Sequence, residues 1–196
     1  MACGTLRREI RSLVEEGFLD AEQVLFTAPG LHEWPNRLEQ QLSRQLMKAW
    51  KDSRRVIVAY GERCFIDVAD PTRDTDALLR ERGPEFRRAR AKNCVDMLAS
   101  DEERQAMALG EKVYWLTPGW VEHWTFIFKD WDPAKANETF PAYDRAVVLD
   151  ALGYFDEVSA NAPEKILEIA DWTKIPLESQ PVTLERLARL LSEQLD

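Results

Sequence analysis

The sequence predicts a single α/β domain in which helices flank a parallel or mostly parallel sheet. Short apolar segments at 23–27, 55–60, 86–91 and 112–116 alternate with segments whose apolar residues recur at helical spacing. The segment 55–60 is almost continuously apolar, which is typical of a strand covered on both faces. Because a chain of 196 residues can bury one substantial core, we expect residues 1–196 to form one domain.

The helices are predicted from apolar spacing, capping residues and turn signals. In the first half they cover about 6–16, 35–50 and 76–82, and another helix begins at Cys94. After the strand at 112–116, an aromatic helix contains Trp124. In the last third, helices are expected at about 142–152, 163–172 and 184–195, with a further strand at 155–158.

Composition and charge exclude several classes of protein. The chain has 35 acidic and 26 basic residues and a formal net charge of −9, which disfavours binding to a phosphate backbone, so we expect no nucleic-acid partner. No segment has the length and apolar character of a signal peptide or a membrane span. We therefore expect a cytoplasmic protein without membrane contact, where three cysteines are unlikely to form lasting disulfides.

Four residues with metal-binding side chains lie at junctions between predicted strands and helices. These are Cys3, His32, Cys64 and Cys94. Because ligands of a parallel sheet bind outside the carboxyl ends of its strands, we expect the four side chains to meet in one crevice. Three thiolates and an imidazole would complete a tetrahedral zinc site, whereas three thiolates alone could hold a four-iron cluster with one open iron. The chain has no CxxC pair, so three unrelated buried cysteines remain an alternative, as does a loop role for His32.

Local charge predicts how acidic these thiols are. Cys3 and Cys94 lie at expected helix N-termini, and Arg63 and Lys92 are close to Cys64 and Cys94 in sequence. Helix N-termini and cations both favour thiolates, so we expect lowered thiol pKa values.

An aromatic segment lies in the middle of the chain. It includes Tyr114, Trp115, Trp120, Trp124, Phe126, Phe128 and Trp131. Such density could form a wall for a flat ligand, but it is more typical of a core or of the interface of a homo-oligomer. The chain contains no glycine-rich phosphate loop, HExxH motif or GxSxG motif, so the sequence assigns no catalytic residue.

Five short segments, in this order, resemble the DUF1638 family of bacterial and archaeal proteins. They are Ala2-Cys3-Gly4 with Arg8-Glu9-Ile10, Gly30-Leu31-His32 with Pro35, Tyr60-Gly61 leading to Cys64, Asn93-Cys94-Val95, and the segment from Tyr114 to Trp120. Members of this family are often encoded beside corrinoid proteins and their methyltransferases. The resemblance implies that the three cysteines and His32 belong to one site.

The resemblance also implies a function. The expected protein binds zinc through Cys3, His32, Cys64 and Cys94 and acts in, or beside, corrinoid-dependent methyl transfer, with a corrinoid protein or methyltransferase as partner. One alternative is an enzyme that carries a three-cysteine [4Fe-4S] cluster with an open iron. The other is a metal-free interaction module whose aromatic helix contacts a partner.

Overall fold

The computed structural model describes residues 1–52 and 55–195. In chain order the helices and strands are α1 (Arg7–Glu15), α2 (Pro35–Asp52), β1 (Val56–Val58), α3 (Thr75–Arg82), β2 (Phe86–Arg88), α4 (Cys94–Leu98), α5 (Asp101–Ala108), β3 (Val113–Leu116), α6 (Pro118–Glu122), α7 (Trp124–Ile127), α8 (Pro133–Thr139), β4 (Arg145–Asp150), α9 (Tyr154–Asn161), α10 (Pro163–Thr173), β5 (Leu177–Pro181) and α11 (Glu185–Ser192). Short 3-10 turns precede α1 and α2 and follow β1 and α8. No helix in the described ranges is both long and apolar enough to cross a membrane.

The first sheet is parallel and includes the start of the chain. β1 and β2 pair in parallel, from Val56 opposite Phe86 to Val58 opposite Arg88. Ala2 forms parallel bridges to Ala59 on one side and to Phe26 on the other. Residues 1–3 therefore occupy a position between the 24–27 segment and β1, although the strand predicted at 23–27 is reduced to the single bridge at Phe26.

The second sheet has the order β3-β4-β5, and both of its strand pairs are parallel. Five of the six residues of β4 are buried, as expected for a central strand covered on both faces. Two parallel sheets with helices around them confirm the predicted α/β class.

The sequence predictions are wrong in one part of this second sheet. The segment expected to be a helix at 142–152 contains strand β4, and the strand expected at 155–158 lies inside helix α9. A short, uniformly apolar run such as 146–149 has no period of its own, so sequence alone does not separate a buried strand from a buried helix. Strand β5 is missing from the sequence predictions because it has three consecutive polar residues, and it ends in Pro181, as edge strands do.

One hydrophobic cluster joins the two sheets. It contains Leu6 and Ile10 from the start of the chain, Leu149 from β4, and Leu187 and Leu190 from α11. All five side chains are buried, so α1 and α11 pack between the first sheet and the second sheet, which mark the two halves of the protein. The carboxyl edge of the first sheet is therefore held against the turn that follows β3.

The contact at that turn is close. The Thr117 hydroxyl donates a hydrogen bond of 3.0 Å to the Thr5 carbonyl oxygen. A side chain at Gly119 would place its Cβ well inside 3.0 Å of the Thr5 backbone, so the approach requires glycine. Trp120, the next residue, is thereby positioned beside Cys94.

Candidate functional site

The three cysteines follow three neighbouring segments of the first sheet. Cys3 ends the segment 1–3, Cys64 lies in the 3-10 turn after β1, and Cys94 is the first residue of α4 after β2. Parallel strands point their carboxyl ends to the same edge, which explains why residues far apart in sequence lie together. The Cys3 backbone N–H donates to the carbonyl oxygen of Ala59, at 3.3 Å, and so fixes Cys3 next to the end of β1.

Gly61 brings the turn of Cys64 against the turn of Cys94. A Cβ at this position would lie well inside 3.0 Å of backbone atoms of Lys92 and Asn93. Two backbone hydrogen bonds hold the same contact: Glu62 N–H donates to Ala91 O at 2.9 Å, and the following N–H donates to Lys92 O at 3.1 Å. The absence of a side chain at Gly61 therefore sets the distance between two of the three cysteine-bearing turns.

Two of the three sulfurs accept a hydrogen bond, and further donors lie near the third. The Thr5 hydroxyl donates to Cys3 Sγ at 3.2 Å, and the Gly61 backbone N–H donates to Cys64 Sγ at 3.3 Å. Cys94 interacts with the Thr5 hydroxyl and the Trp120 side chain, and with the Val95 backbone N–H; all three favour its ionised form. Thr5 thus lies between Cys3 and Cys94.

Burial keeps the thiols of Cys64 and Cys94 protonated, contrary to the sequence prediction. Desolvation raises the pKa of Cys94 to about 12, and negative charge on Cys3 raises it as well. Desolvation also raises the pKa of Cys64 well above its ordinary value, and both other cysteines add to that effect. These mutual effects show that the three thiols are electrostatic neighbours.

The expected cations do not offset the burial. Arg63 and Lys92 are exposed, and Lys92 pairs with Asp101. The cation that does favour the Cys64 thiolate is Arg88, and its effect is smaller than that of burial. Proximity in sequence therefore indicated the wrong cations, and the prediction of lowered thiol pKa values is wrong for Cys64 and Cys94.

Tyr60 lies beside the thiols on the sheet side. It is 2% exposed, and its hydroxyl contacts the Thr27 hydroxyl. Burial raises the pKa of Tyr60 well above its usual value, and the charges of Cys3 and Cys64 raise it further. The phenol is thus a neutral polar group next to two of the three sulfurs.

His32 lies one side chain further out. It is in the 3-10 turn 31–33, where its ring packs against the Trp120 ring at a centroid distance of 5.2 Å. His32 Nε2 is 3.5 Å from Glu33 Oε1, and the side chain is 41% exposed. Burial of the ring lowers the pKa of His32, and Glu33 opposes this change. Trp120 therefore contacts both His32 and the Cys94 thiol.

Residues 26–191 match the DUF1638 family, which is described as a protein family of unknown function. The chain belongs to the DUF1638 family. The match includes His32, Cys64 and Cys94, whereas Cys3 precedes it. No curated protein and no solved structure matches this DUF1638 chain.

The described side chains at this site of the DUF1638 protein are not arranged for metal coordination. Within residues 1–52 and 55–195, no three His, Cys, Asp or Glu side chains are arranged so that they could hold a metal ion as they stand. The Cys64 sulfur, for example, is turned toward the backbone N–H of Gly61 in its own turn. Coordination by Cys3, His32, Cys64 and Cys94 would require rotation of these side chains and stays a prediction.

Sequence reasoning missed the residues that surround the sulfurs in this DUF1638 chain. Nothing in the sequence pattern marks Thr5 as a partner of a sulfur, and Trp120 is indicated only as part of the aromatic segment. The rest of that segment packs mostly as core: Trp124 and Phe128 are buried, with centroids 4.2 Å apart, and both contact Trp172. The Gly-Trp pair at 119–120 was the signal that could have indicated Trp120, because glycine allows two backbone segments to approach closely.

Proposed function

We propose that Cys3, Cys64 and Cys94 bind a metal centre as thiolates. The observation that supports this most strongly is that three partly buried cysteines lie close enough to affect one another's ionisation, while two of the sulfurs accept an O–H or N–H hydrogen bond and further donors lie near the third. Cysteines that serve only as packing residues need no such donors. Sulfurs bound to a metal retain negative charge, and hydrogen bonds to them tune the centre.

The raised thiol pKa values explain what the metal would contribute. Thiolates at Cys64 and Cys94 would be poorly solvated and repelled by negative charge on the neighbouring cysteines, so without a cation these two pKa values favour neutral thiols. A bound metal supplies the positive charge and displaces the thiol protons. Metal binding should therefore strengthen as the pH rises, with rotation of the cysteine side chains toward the metal.

The place of His32 favours a centre held by three cysteines. An open-iron [4Fe-4S] cluster needs only the three thiolates and does not require His32 as a ligand. Zinc with His32 as fourth ligand is the second form of the proposal, and it requires the imidazole to leave the Trp120 ring. The present packing of that ring, 5.2 Å from Trp120 between centroids, supports the first form.

A role in, or beside, corrinoid-dependent methyl transfer is part of the same proposal. It rests on the resemblance to the DUF1638 family, which implies a corrinoid system as the setting, and the chain is a member of that family. An open iron or a zinc ion next to an exposed histidine could hold the small substrate of such a reaction. The partner would be a corrinoid protein or a methyltransferase.

Metal analysis of anaerobically purified protein tests the proposal. We expect a brown protein with visible absorption and about four iron atoms and four sulfides per chain. A colourless protein with about one zinc per chain would support the zinc form instead. Protein that is free of metal after anaerobic purification and after reconstitution would contradict the proposal and favour a metal-free interaction module.

Replacing His32 by alanine separates the two forms. We expect His32→Ala to retain the metal content of the parent, because its ring contacts Trp120 and not the sulfurs. His123→Ala is the matched control, since the sequence contains two histidines. Metal content is measured on both variants after identical purification. A selective loss in His32→Ala would show that His32 is a ligand, as the zinc form requires.

A further inference from the structure

Glu9 has a buried carboxyl group. It projects from α1 and is 0% exposed. Neither of its oxygens has a hydrogen-bond partner within the described residues. An ionised carboxylate in such a place is strongly unfavourable, whereas a neutral carboxylic acid is much less so. The environment therefore favours the protonated form.

The charges that face Glu9 come from three elements. Asp150 at the end of β4 and Glu122 at the end of α6 are negative and disfavour a further negative charge, while Arg8 on α1 favours it. Arg8 is already engaged, because its Nε donates to Glu122 Oε2 at 3.1 Å and its guanidinium lies over the Tyr154 ring at 4.3 Å. The nearby cation is thus shared with another carboxylate and does not neutralise Glu9.

The other groups around this cluster also have partners. The Asp150 carboxylate accepts the backbone N–H groups of Leu152 and Phe155, at 3.0 and 2.7 Å. Lys165 Nζ donates to the Glu122 carbonyl oxygen at 3.0 Å, and Arg8 also pairs with Glu157 at 3.7 Å. Glu9 therefore differs from its acidic neighbours, whose negative charges are stabilised by these donors.

We propose that Glu9 is a proton-binding site that couples pH to the packing of α1 against the β3-β4-β5 half of the protein. The neutral acid allows the two halves to close around it, and loss of the proton places an unpaired charge at their junction. The inference does not depend on a metal centre. Because Thr5 lies one helical turn before Glu9 and donates to Cys3, movement of α1 would also reach the thiols.

The direction of the pH effect follows from linkage. Burial raises the pKa of Glu9 from 4.5 to about 7; the charges of Asp150 and Glu122 add to this change, and the charge of Arg8 opposes it. The unfolded chain thus loses this proton near pH 4.5 and the folded chain near pH 7. The stabilisation is complete below about pH 4.5 and is lost as the pH rises through about 7, and above that pH the unfolding constant has risen by about 300-fold from this group.

Glu9→Gln tests the inference through denaturant unfolding of the reduced, metal-free protein between about pH 5 and pH 8. We expect the ratio of the parent's unfolding constant to that of Glu9→Gln to rise by about tenfold per pH unit up to about pH 7, and to level off above it. Glu15→Gln, an exposed position on the same helix, is the matched control and should show no such trend. The Met1 amino group, with its pKa lowered to about 6, and His32 are present in all three chains, so their effects cancel.

Carboxyl carbon NMR of the parent provides a second measurement, in which the variants serve only to assign the Glu9 resonance. One glutamate resonance of the parent should titrate near pH 7 and be missing in Glu9→Gln, or in Glu9→Met if the glutamine variant does not fold. A Glu9 midpoint below about pH 5 would overturn the inference, because it would place the folded value near that of a free glutamate. Parallel pH dependence of the parent and Glu9→Gln would overturn it as well.

Discussion

Gly61→Ala is expected to destabilise the protein by about 3 to 5 kcal/mol. The backbone of Gly61 is extended, with φ −77° and ψ 157°, so alanine meets no conformational strain there. The cost comes from the new Cβ, which would collide with backbone atoms of Lys92 and Asn93. To relieve the collision the two turns must separate, and the hydrogen bonds from Glu62 N–H to Ala91 O and from the next residue to Lys92 O would then be lost.

The measurement is the free energy of unfolding in denaturant, with Gly110→Ala as the matched control. Gly110 has a φ of +90°, but no atom lies within 4 Å of the position that its Cβ would take, so alanine there meets backbone strain without a collision. We expect the control to lose about 1 to 2 kcal/mol. An equal loss in the two variants would show that Gly61 is not a tight contact between the turns of Cys64 and Cys94.

The sequence was sufficient to predict the elements whose pattern is independent of tertiary packing. Helix α2 is predictable because leucines recur on one face between Pro35 and the end of the helix, and β1 because 56–58 is uniformly apolar. Strand β4 is easily mistaken for a helix because its Ala-Val-Val-Leu run at 146–149 satisfies both patterns. Its pairing with β3 and β5 decides between them, and pairing is a property of the folded chain.

The candidate site was likewise predictable from sequence only in the features that do not depend on tertiary packing. The rule that parallel strands end at one edge was enough to expect Cys3, Cys64 and Cys94 near one another. This rule does not indicate that Thr5 and Trp120 lie beside the sulfurs. Trp120 belongs to the half of the protein that contains β3, β4 and β5, and the contact of Gly119 with Thr5 brings it to the thiols. Nor could the rule show that burial would outweigh helix N-termini in setting the thiol pKa values.

Cys94→Ser is expected to reduce bound metal to well under half that of the parent while the protein still folds cooperatively. Serine retains the size and a polar group at the first residue of α4, but an alcohol is not ionised at neutral pH and is a poor ligand for iron or zinc. The hydroxyl also has partners at this position, since Thr5, Trp120 and the Val95 N–H surround the sulfur. A buried polar group with hydrogen bonds costs little stability compared with one without them.

The alternative, a packing role for Cys94, predicts a loss of stability and no change in metal content. If Cys94 is only a packed apolar side chain, serine brings a hydroxyl into an apolar environment and should destabilise the protein by about 1 to 3 kcal/mol, with no metal to lose. Metal content and the free energy of unfolding should therefore be measured on the same sample. Thr117→Ser is the matched control: it removes one methyl group from a buried side chain at the same edge, keeps the hydroxyl that donates to Thr5, and should retain metal. Normal metal content in Cys94→Ser would exclude Cys94 as a ligand, whereas its loss in a folded protein, with metal retained in Thr117→Ser, would assign the Cys94 thiolate to the centre.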